Sequence, residues 1–394
     1  MKRIVLVGAA TLAGLLPLVA DISHAAIPDR VVALCLRGRN GKLVVLEGAT
    51  GRVRWEHDIA DFGHALWIHQ GVISDQRGTI VLAAGTQRLV GLDARRGSVE
   101  WEAKLENQQY QALLATDGKR VFASGYTTDR TVCVEARSGR VEWEARFSGQ
   151  LYVIGDQLLA VNYRQGGVAS LDAKSGRETW TKPIRGMLLD VTGELVLMTD
   201  YNTQQTHAIR SSTGEIAWSI GQLCYNGAFA KETTFLCDQA GVVRAVETSS
   251  GKERWTSSPA MREQRKIVAV GDVVFAVGTG TGNIVCLEAK SGRELYSVQG
   301  GPVNNRIPTS FAVDARSAYI INMRDSKLVC VDTKSGNISW EVKTPRTPQG
   351  VVLTRNLAVV ATDGQFLGIE ARTGRRVWET PGPRLSMFYG FVTK

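Results

Sequence analysis

The sequence predicts an all-β protein built from repeated units, and three observations support this prediction. One short phrase, written "IVCLEAKSGRELY" in one copy and "LVCVDTKSGNISW" in another, occurs nine times. A glycine marks the same place in each copy, about 40 residues apart: Gly51, Gly97, Gly139, Gly176, Gly214, Gly251, Gly292, Gly336 and Gly374. Four residues later comes an aromatic: Trp55, Trp101, Trp143, Trp180, Trp218, Trp255, Tyr296, Trp340 or Trp378. This period is typical of propeller blades.

Each phrase predicts a β-hairpin. Four residues before the glycine stands an acid in eight copies, with Arg210 the exception: Glu47, Asp93, Glu135, Asp172, Glu247, Glu288, Asp332 and Glu370. Six residues before it the side chain is short: Val45, Gly91, Cys133, Ser170, Ala208, Ala245, Cys286, Cys330 or Gly368. An aliphatic strand therefore ends at the acid, the glycine turns the chain at positive φ, and the next strand carries the aromatic.

Two further β-rich runs precede each hairpin, such as "QLYVIG" and "QLLAVNY" before Gly176. Each unit thus holds about four strands, and such sheets bury their faces by packing around an axis as a β-propeller. The first unit lacks its first strand, whereas the tail "RLSMFYGFV" has no hairpin of its own. We therefore expect nine blades by motif count, in one domain of residues 26–394, with the ring closed by the C-terminal strand.

The first 25 residues have the pattern of a signal peptide. Lys2 and Arg3 precede an apolar run from Ile4 to Ala20, and Ser23 and Ala25 fit the small residues that signal peptidase recognises. An uncleaved anchor is the alternative, although Gly8, Gly14 and Pro17 interrupt the run. We expect an exported protein, periplasmic or secreted, with no transmembrane segment.

The formal charge of +9 predicts an acidic or otherwise anionic partner. Export makes nucleic acid an unsuitable partner. The remaining candidates are acidic proteins, anionic glycans and lipid headgroups, with the protein acting as a monomer or as part of a complex.

The segments "LDAKSGRETW", "VDTKSGNISW" and "IEARTGRRVW" resemble PQQ-like (quinoprotein-like) propeller repeats. This resemblance implies a propeller, commonly of eight blades, so eight remains possible here beside nine. It is shared by pyrroloquinoline quinone (PQQ) dehydrogenases with calcium and by propellers without a cofactor. The chain also resembles the propeller subunit of the outer-membrane β-barrel assembly machinery, which implies a scaffold.

The sequence favours the scaffold over the enzyme. No two cysteines are adjacent and no Cys-x-x-Cys-His segment occurs, so neither a vicinal disulfide nor attached haem is indicated. We expect no catalytic residue, no metal and no cofactor. The alternatives are a PQQ-dependent dehydrogenase and a propeller that binds a small anion or a glycan.

Arginines in the connections between units form the first candidate site, for a protein or anionic partner: Arg185, Arg262, Arg265, Arg306, Arg346 and Arg384. If these connections share one face, their guanidinium groups offer bidentate contacts to carboxylate or phosphate. Arginines that only face solvent are the simpler alternative.

The segment "HDIADFGHALWIH" supplies a second candidate, an axial cluster of His57, His64, Trp67 and His69. Its spacing fits no zinc pattern, so a ligand site competes with ordinary strand and loop histidines. His207 falls inside a predicted strand and should simply be packed.

Cysteines of the short-residue position, Cys133, Cys286 and Cys330, should be buried thiols, because packed sheets lie too far apart for a disulfide. Cys224 and Cys237 fall on neighbouring strands of one unit, where a disulfide is possible.

Overall fold

The computed structural model describes residues 30–37, 40–58, 73–74, 79–84, 88–105, 112–125, 129–162, 166–257, 265–278, 283–298, 311–384 and 387–393. They form 36 strands in nine four-stranded sheets, and no helix occurs within these ranges. The prediction of an all-β propeller of four-stranded units is confirmed. The number of blades and the closure of the ring stay predictions. A helix suited to crossing a membrane is not found in the described ranges.

The chain divides into two compact units. The first unit contains four complete sheets, whose strands are β4 (Ile73–Ser74), β5 (Thr79–Ala84), β6 (Arg88–Asp93) and β7 (Val99–Lys104); β8 (Ala112–Thr116), β9 (Arg120–Gly125), β10 (Thr131–Glu135) and β11 (Val141–Ala145); β12 (Gln150–Ile154), β13 (Gln157–Asn162), β14 (Gly167–Asp172) and β15 (Glu178–Lys182); and β16 (Leu188–Val191), β17 (Leu195–Asp200), β18 (Gln205–Arg210) and β19 (Ile216–Ile220).

The sheet of β20 (Cys224–Ala230), β21 (Thr233–Asp238), β22 (Val243–Glu247) and β23 (Glu253–Thr256) contributes residues to both units. The second unit contains the remaining sheets, whose strands are β24 (Arg265–Val270), β25 (Val273–Gly278), β26 (Ile284–Glu288) and β27 (Glu294–Val298); β28 (Phe311–Val313), β29 (Ser317–Asn322), β30 (Lys327–Asp332) and β31 (Ile338–Lys343); β32 (Pro348–Leu353), β33 (Leu357–Thr362), β34 (Gln365–Glu370) and β35 (Arg376–Pro381); and β1 (Arg30–Arg37), β2 (Asn40–Glu47), β3 (Val53–Asp58) and β36 (Met387–Thr393).

The C-terminal strand β36 completes the first sheet. It pairs antiparallel with β1 over seven residues, with Val31 opposite Val392 and Leu36 opposite Met387. The prediction that the tail supplies the strand missing from the first unit is therefore confirmed.

The repeated phrase forms the predicted hairpin, as the turn after β14 illustrates. Gly176 has φ of 70° and donates its N–H to the carbonyl oxygen of Asp172 at 2.8 Å. The Asp172 carboxylate accepts the amides of Lys174 at 3.1 Å and Ser175 at 2.7 Å. The hydroxyl and amide of Ser175 hold the pKa of Asp172 below its ordinary value. The acid therefore stabilises its own turn.

The tryptophans join neighbouring sheets. The indole Nε1 of Trp180 donates to the carbonyl oxygen of Ser211 in the next sheet at 2.7 Å. Six other tryptophans make the same kind of bond: Trp101 to Ala136, Trp143 to Ala173, Trp218 to Thr248, Trp255 to Ala289, Trp340 to Ala371 and Trp378 to Gly48.

The indole also explains why the phrase needs small residues at two places. A Cβ atom built on Gly91, opposite Trp101 in the same sheet, would lie 2.2 Å from the ring. A Cβ atom on Gly139, the turn glycine of the next sheet, would lie 2.3 Å from it. Trp101 is thus enclosed between its own sheet and the next hairpin, and only 8% of it is exposed.

Candidate functional site

Each sheet has two ends with different contents. The repeated hairpins lie at one end, together with the turns between the first and second strands; we call this the repeat-turn end. Successive strands of each sheet alternate in direction, so the hairpins between the second and third strands lie at the other end, together with the connections to the next sheet. We call this the connection end. The described arginines between sheets, Arg185, Arg346 and Arg384, belong to the connection end.

Arg185 lies at the connection end of the first unit, between β15 and β16, with an exposed side chain. Its carbonyl oxygen accepts the N–H of Tyr201 at 2.8 Å, which joins the connection to the hairpin after β17. Its side-chain stem lies beside Gly166, where an added Cβ atom would be 3.2 Å from the Arg185 Cβ. Two hairpins therefore hold this arginine in place while its guanidinium faces solvent.

Arg346 has a corresponding place in the second unit, between β31 and β32. Its carbonyl oxygen accepts the Thr344 hydroxyl at 2.7 Å. Its guanidinium lies close to Gly364, in the hairpin after β33: a Cβ atom added to that glycine would be 3.4 Å from the Arg346 Nη1. Arg384, after β35, is also exposed. Each of these connections thus lies at the connection end of its own sheets, and the sharing of one face by all of them stays a prediction.

The other arginines of the predicted site are only partly described. Arg265 begins β24, and its side chain is not described. Arg262 and Arg306 lie outside the described residues. A complete ring of arginines therefore stays a prediction.

Sequence reasoning missed the hairpin that braces Arg185. Residues 201–204 are exposed, and Gln204 has φ of 59°, which is uncommon for a residue with a Cβ atom. Asp200 fixes this turn by accepting the Asn202 amide at 2.9 Å and the Thr203 hydroxyl at 3.0 Å. The segment "DYNTQQ" carried a usable signal, since an aromatic in a polar turn is unusual. Tyr201 is 36% exposed, so this hairpin presents a partly exposed aromatic residue whose backbone is bonded to that of Arg185.

The histidine cluster is described at one residue only. His57 lies on β3, the last strand of the first sheet, and its ring centroid is 5.5 Å from that of Trp55. His64, Trp67 and His69 lie outside the described residues, so the predicted cluster stays untested.

His207 is buried, as predicted, and it has polar partners that the sequence did not reveal. Its Nδ1 lies 2.8 Å from the hydroxyl of Ser219, and its Nε2 lies 3.8 Å from the carboxylate of Asp200. Burial lowers the pKa of His207 more than Asp200 raises it. The imidazole is therefore largely neutral near pH 7 and links three strands of one sheet.

Asp190 is the only carboxylate on the described first strands of the sheets. It lies on β16 and accepts the amides of Val191 at 2.8 Å and of Phe229, in the next sheet, at 2.7 Å. Burial raises the pKa of Asp190 to about 6 although both bonds oppose the shift. This group joins two sheets and titrates near neutral pH.

The short-position cysteines are buried thiols, as expected. Burial raises the pKa of Cys286 and of Cys330 to about 11, so neither is a reactive thiolate. Cys224 and Cys237 are buried as well, and the described residues contain no disulfide between them. Their sulfur atoms approach the carbonyl oxygens of Gln222 at 3.9 Å and Asp238 at 3.5 Å instead.

The described residues do not fit PQQ with calcium. Calcium takes six to eight oxygen ligands, several of them carboxylates. Asp190 is the single carboxylate on the described first strands, and backbone amides of its own and the next sheet occupy its oxygens. Within the described ranges, no three metal-ligating side chains come together. The absence of a cofactor stays a prediction.

Comparison with known proteins gives one consistent result for the family. Residues 19–220 and 239–384 match the family model described as outer membrane protein assembly factor BamB. A curated relative with the same description, from Shewanella oneidensis, is 24% identical over 205 residues. That alignment covers 48% of this chain and 50% of the relative, so the chain spans about half the length of the curated relative it matches.

Solved structures show the same fold at low identity. The crystal structure of BamB from Moraxella catarrhalis has a TM-score of 0.54 at 15% identity, covering 76% of this chain and 93% of that one. The dihydro-heme d1 dehydrogenase NirN has a TM-score of 0.58 at 15% identity, covering 80% and 76%. Apo AztD from Citrobacter koseri has a TM-score of 0.53 at 11% identity, covering 92% and 98%. At these identities the likeness concerns the fold alone.

Proposed function

The chain belongs to the family described as outer membrane protein assembly factor BamB, and on this premise we propose that it is an exported, non-catalytic scaffold. It works in the periplasm and binds a protein that takes part in outer-membrane protein assembly. The partner surface is the connection end of its sheets.

The braced arginine of the first unit carries this proposal. Arg185 is exposed, yet the contact of its carbonyl oxygen with Tyr201 and the position of its stem beside Gly166 restrict its movement. An arginine whose backbone and stem are already fixed has less conformational entropy to lose on binding, and both arginine and tyrosine are enriched in interface hot spots. The guanidinium suits a carboxylate of the partner.

The repeated fastening of the sheets supports a platform rather than a catalyst. Each tryptophan bond fixes one hairpin against the next sheet, so loops at the opposite ends of the same strands are held at fixed positions. Two titratable side chains inside the sheets, Asp190 and His207, bond to groups of other strands and so hold strands and sheets together.

The proposal can be tested with Arg185→Glu expressed in cells that lack the wild-type gene. Loss of a hot-spot arginine costs about 2 kcal/mol or more, so we expect at least about a 30-fold loss of binding to the partner complex. Arg177→Glu, at the repeat-turn end of the same sheet, is the matched control and should bind normally. Both variants should melt like the wild type.

The measurement is quantitative co-purification with the outer-membrane protein assembly complex, together with the level of outer-membrane proteins. Binding that survives Arg185→Glu would refute the connection end as the partner surface. A gene deletion that leaves outer-membrane protein levels unchanged would refute the role in assembly.

A further inference from the structure

Five arginines gather at the repeat-turn end of two neighbouring sheets in the second unit. The sheet of β32–β35 contributes three of them, and the sheet of β1–β3 and β36 contributes two. We call them the arginine patch: Arg52, Arg54, Arg355, Arg372 and Arg375. The guanidinium of Arg376 does not belong to it, because its Nη2 donates to the carbonyl oxygen of Lys343 at the end of β31, at 3.0 Å.

Backbone contacts bring the turns that carry these residues together. The amide of Ala371 donates to the carbonyl oxygen of Asn356 at 2.9 Å, which places the turn of Arg355 beside the hairpin of Arg372. The hairpin that carries Arg52, in the adjacent sheet, is held by Trp378: the indole Nε1 donates to the carbonyl oxygen of Gly48 at 3.2 Å. The Thr380 hydroxyl donates to the carbonyl oxygen of Gly51 at 2.7 Å. The patch is therefore one continuous surface across two sheets.

The patch has more positive than negative charge. Two carboxylates lie among the five guanidinium groups, those of Glu47 and Glu370. Both acids serve their own turns: Glu47 accepts the Thr50 hydroxyl at 2.8 Å, and Glu370 accepts the Thr373 hydroxyl. The surplus over these acids is three positive charges.

The arginine side chains point outward despite these acids. Arg375 lies 3.5 Å from Glu370 and is 67% exposed, while Arg52 lies 3.1 Å from Glu47 and is 65% exposed. Exposed ion pairs of this kind are weak, so the guanidinium groups can exchange carboxylate for phosphate at small cost.

The copy of the phrase at Gly176 lacks this surplus. Lys174 and Arg177 occupy the repeat positions of Arg372 and Arg375, but three acids surround them, Asp172, Glu178 and Asp156. Lys174 lies 3.8 Å from Asp156. The surplus charge is therefore a property of the patch and does not follow from the repeat.

We propose that the arginine patch docks the protein on a membrane surface of anionic phospholipid headgroups. Packed sheets lie about 10 Å apart, so one phosphate cannot contact both hairpins, whereas an array of headgroups can. The patch lies at the repeat-turn end of its sheets, whereas Arg346 of the same unit lies at the connection end, beside Gly364. This inference does not rest on the proposed function.

The test compares Arg372→Gln/Arg375→Gln with the matched control Lys174→Gln/Arg177→Gln. Both variants lose two positive charges at the same repeat positions. Each cation near an anionic membrane strengthens binding roughly five-fold, so the patch variant should bind about 30-fold more weakly. The control should bind like the wild type. The probe is sedimentation with vesicles of phosphatidylglycerol and phosphatidylcholine, against phosphatidylcholine alone.

Three outcomes would overturn the proposal. Equal losses in both variants would show that only net charge matters, and no loss in either would exclude the patch. Wild-type binding that does not weaken between 50 and 300 mM salt would exclude an electrostatic contact, because exposed charges are strongly screened at high salt. Melting curves of both variants should match the wild type, since the substituted side chains are exposed.

Discussion

Asp190→Asn should weaken the dependence of stability on pH between pH 5 and 7.5. The Asp190 carboxylate accepts two amides, one from Val191 and one from Phe229 in the next sheet. Burial raises its pKa to about 6, above the ordinary value of 3.8. The folded protein therefore binds a proton at this residue more tightly than the unfolded chain does.

The sign follows from that difference in proton affinity. The stability that protonated Asp190 contributes is fully present below pH 3.8 and is lost as the pH rises through 6. Between pH 5 and 7.5, linkage gives a loss of about 1.4 kcal/mol in the free energy of unfolding. Asparagine does not titrate, so this part of the pH dependence should disappear from the variant.

Urea unfolding at pH 5, 6, 6.5 and 7.5 measures the effect for wild type and variant. The quantity of interest is the difference between the two proteins in their change with pH, because His207 and the other titratable groups contribute equally to both. Asp172→Asn is the matched control. Its pKa is lowered, so its contribution is lost only below about pH 4, outside this range.

Parallel stability curves for wild type and Asp190→Asn would refute the reasoning. They would mean that the carboxylate is solvated in the folded state and that its amide contacts do not lie in a dry interface. A steeper pH dependence in the variant would contradict the sign.

Three further predictions concern the fastening of the sheets. Gly139→Ala should destabilise the protein by at least about 2 kcal/mol, because the added Cβ atom would lie 2.3 Å from Trp101. The control Gly155→Ala also has positive φ, 58°, but open space around it, and should cost about 1 kcal/mol. Equal losses in thermal unfolding would contradict this. Trp180→Phe removes the indole N–H and should cost about 1 to 3 kcal/mol in urea unfolding; an unchanged midpoint would show that the bond contributes nothing. Deleting residues 384–394 removes β36 and should lower the melting temperature by more than 10 °C; unchanged melting would mean that β1 needs no partner strand.

The sequence predicted the repeated unit well because the phrase contains the residues that make its contacts. The turn glycine, the acid and the tryptophan recur at fixed offsets, and each has one physical task in every copy. The pairing of β36 with β1 was also predictable, since one unit had a strand too few and the tail had a strand too many.

The sites were harder to predict because they depend on contacts between distant parts of the chain. Asp190 follows an aliphatic pair in "MLLDV", and nothing nearby indicates that its partner is Phe229 of the next sheet. The pairing of β16 with β17 also shifts in register between Leu188 and Asp190, which the sequence does not reveal. Similarly, the sequence shows that His207 is in a strand but does not show that Ser219 lies opposite it.

The pairing of β1 with β36 constrains the order in which the protein can form during synthesis. Val31 is synthesised long before Val392, which lies near the other end of the chain. Strand β1 therefore has only β2 as a partner until β36 has been made. Until then β1 presents an open edge of amides and carbonyls, which can pair with another chain. We expect the first sheet to be completed last and to need protection during translocation. The bond from Trp378 to Gly48 likewise joins residues from nearly opposite ends of the chain and can form only late in synthesis.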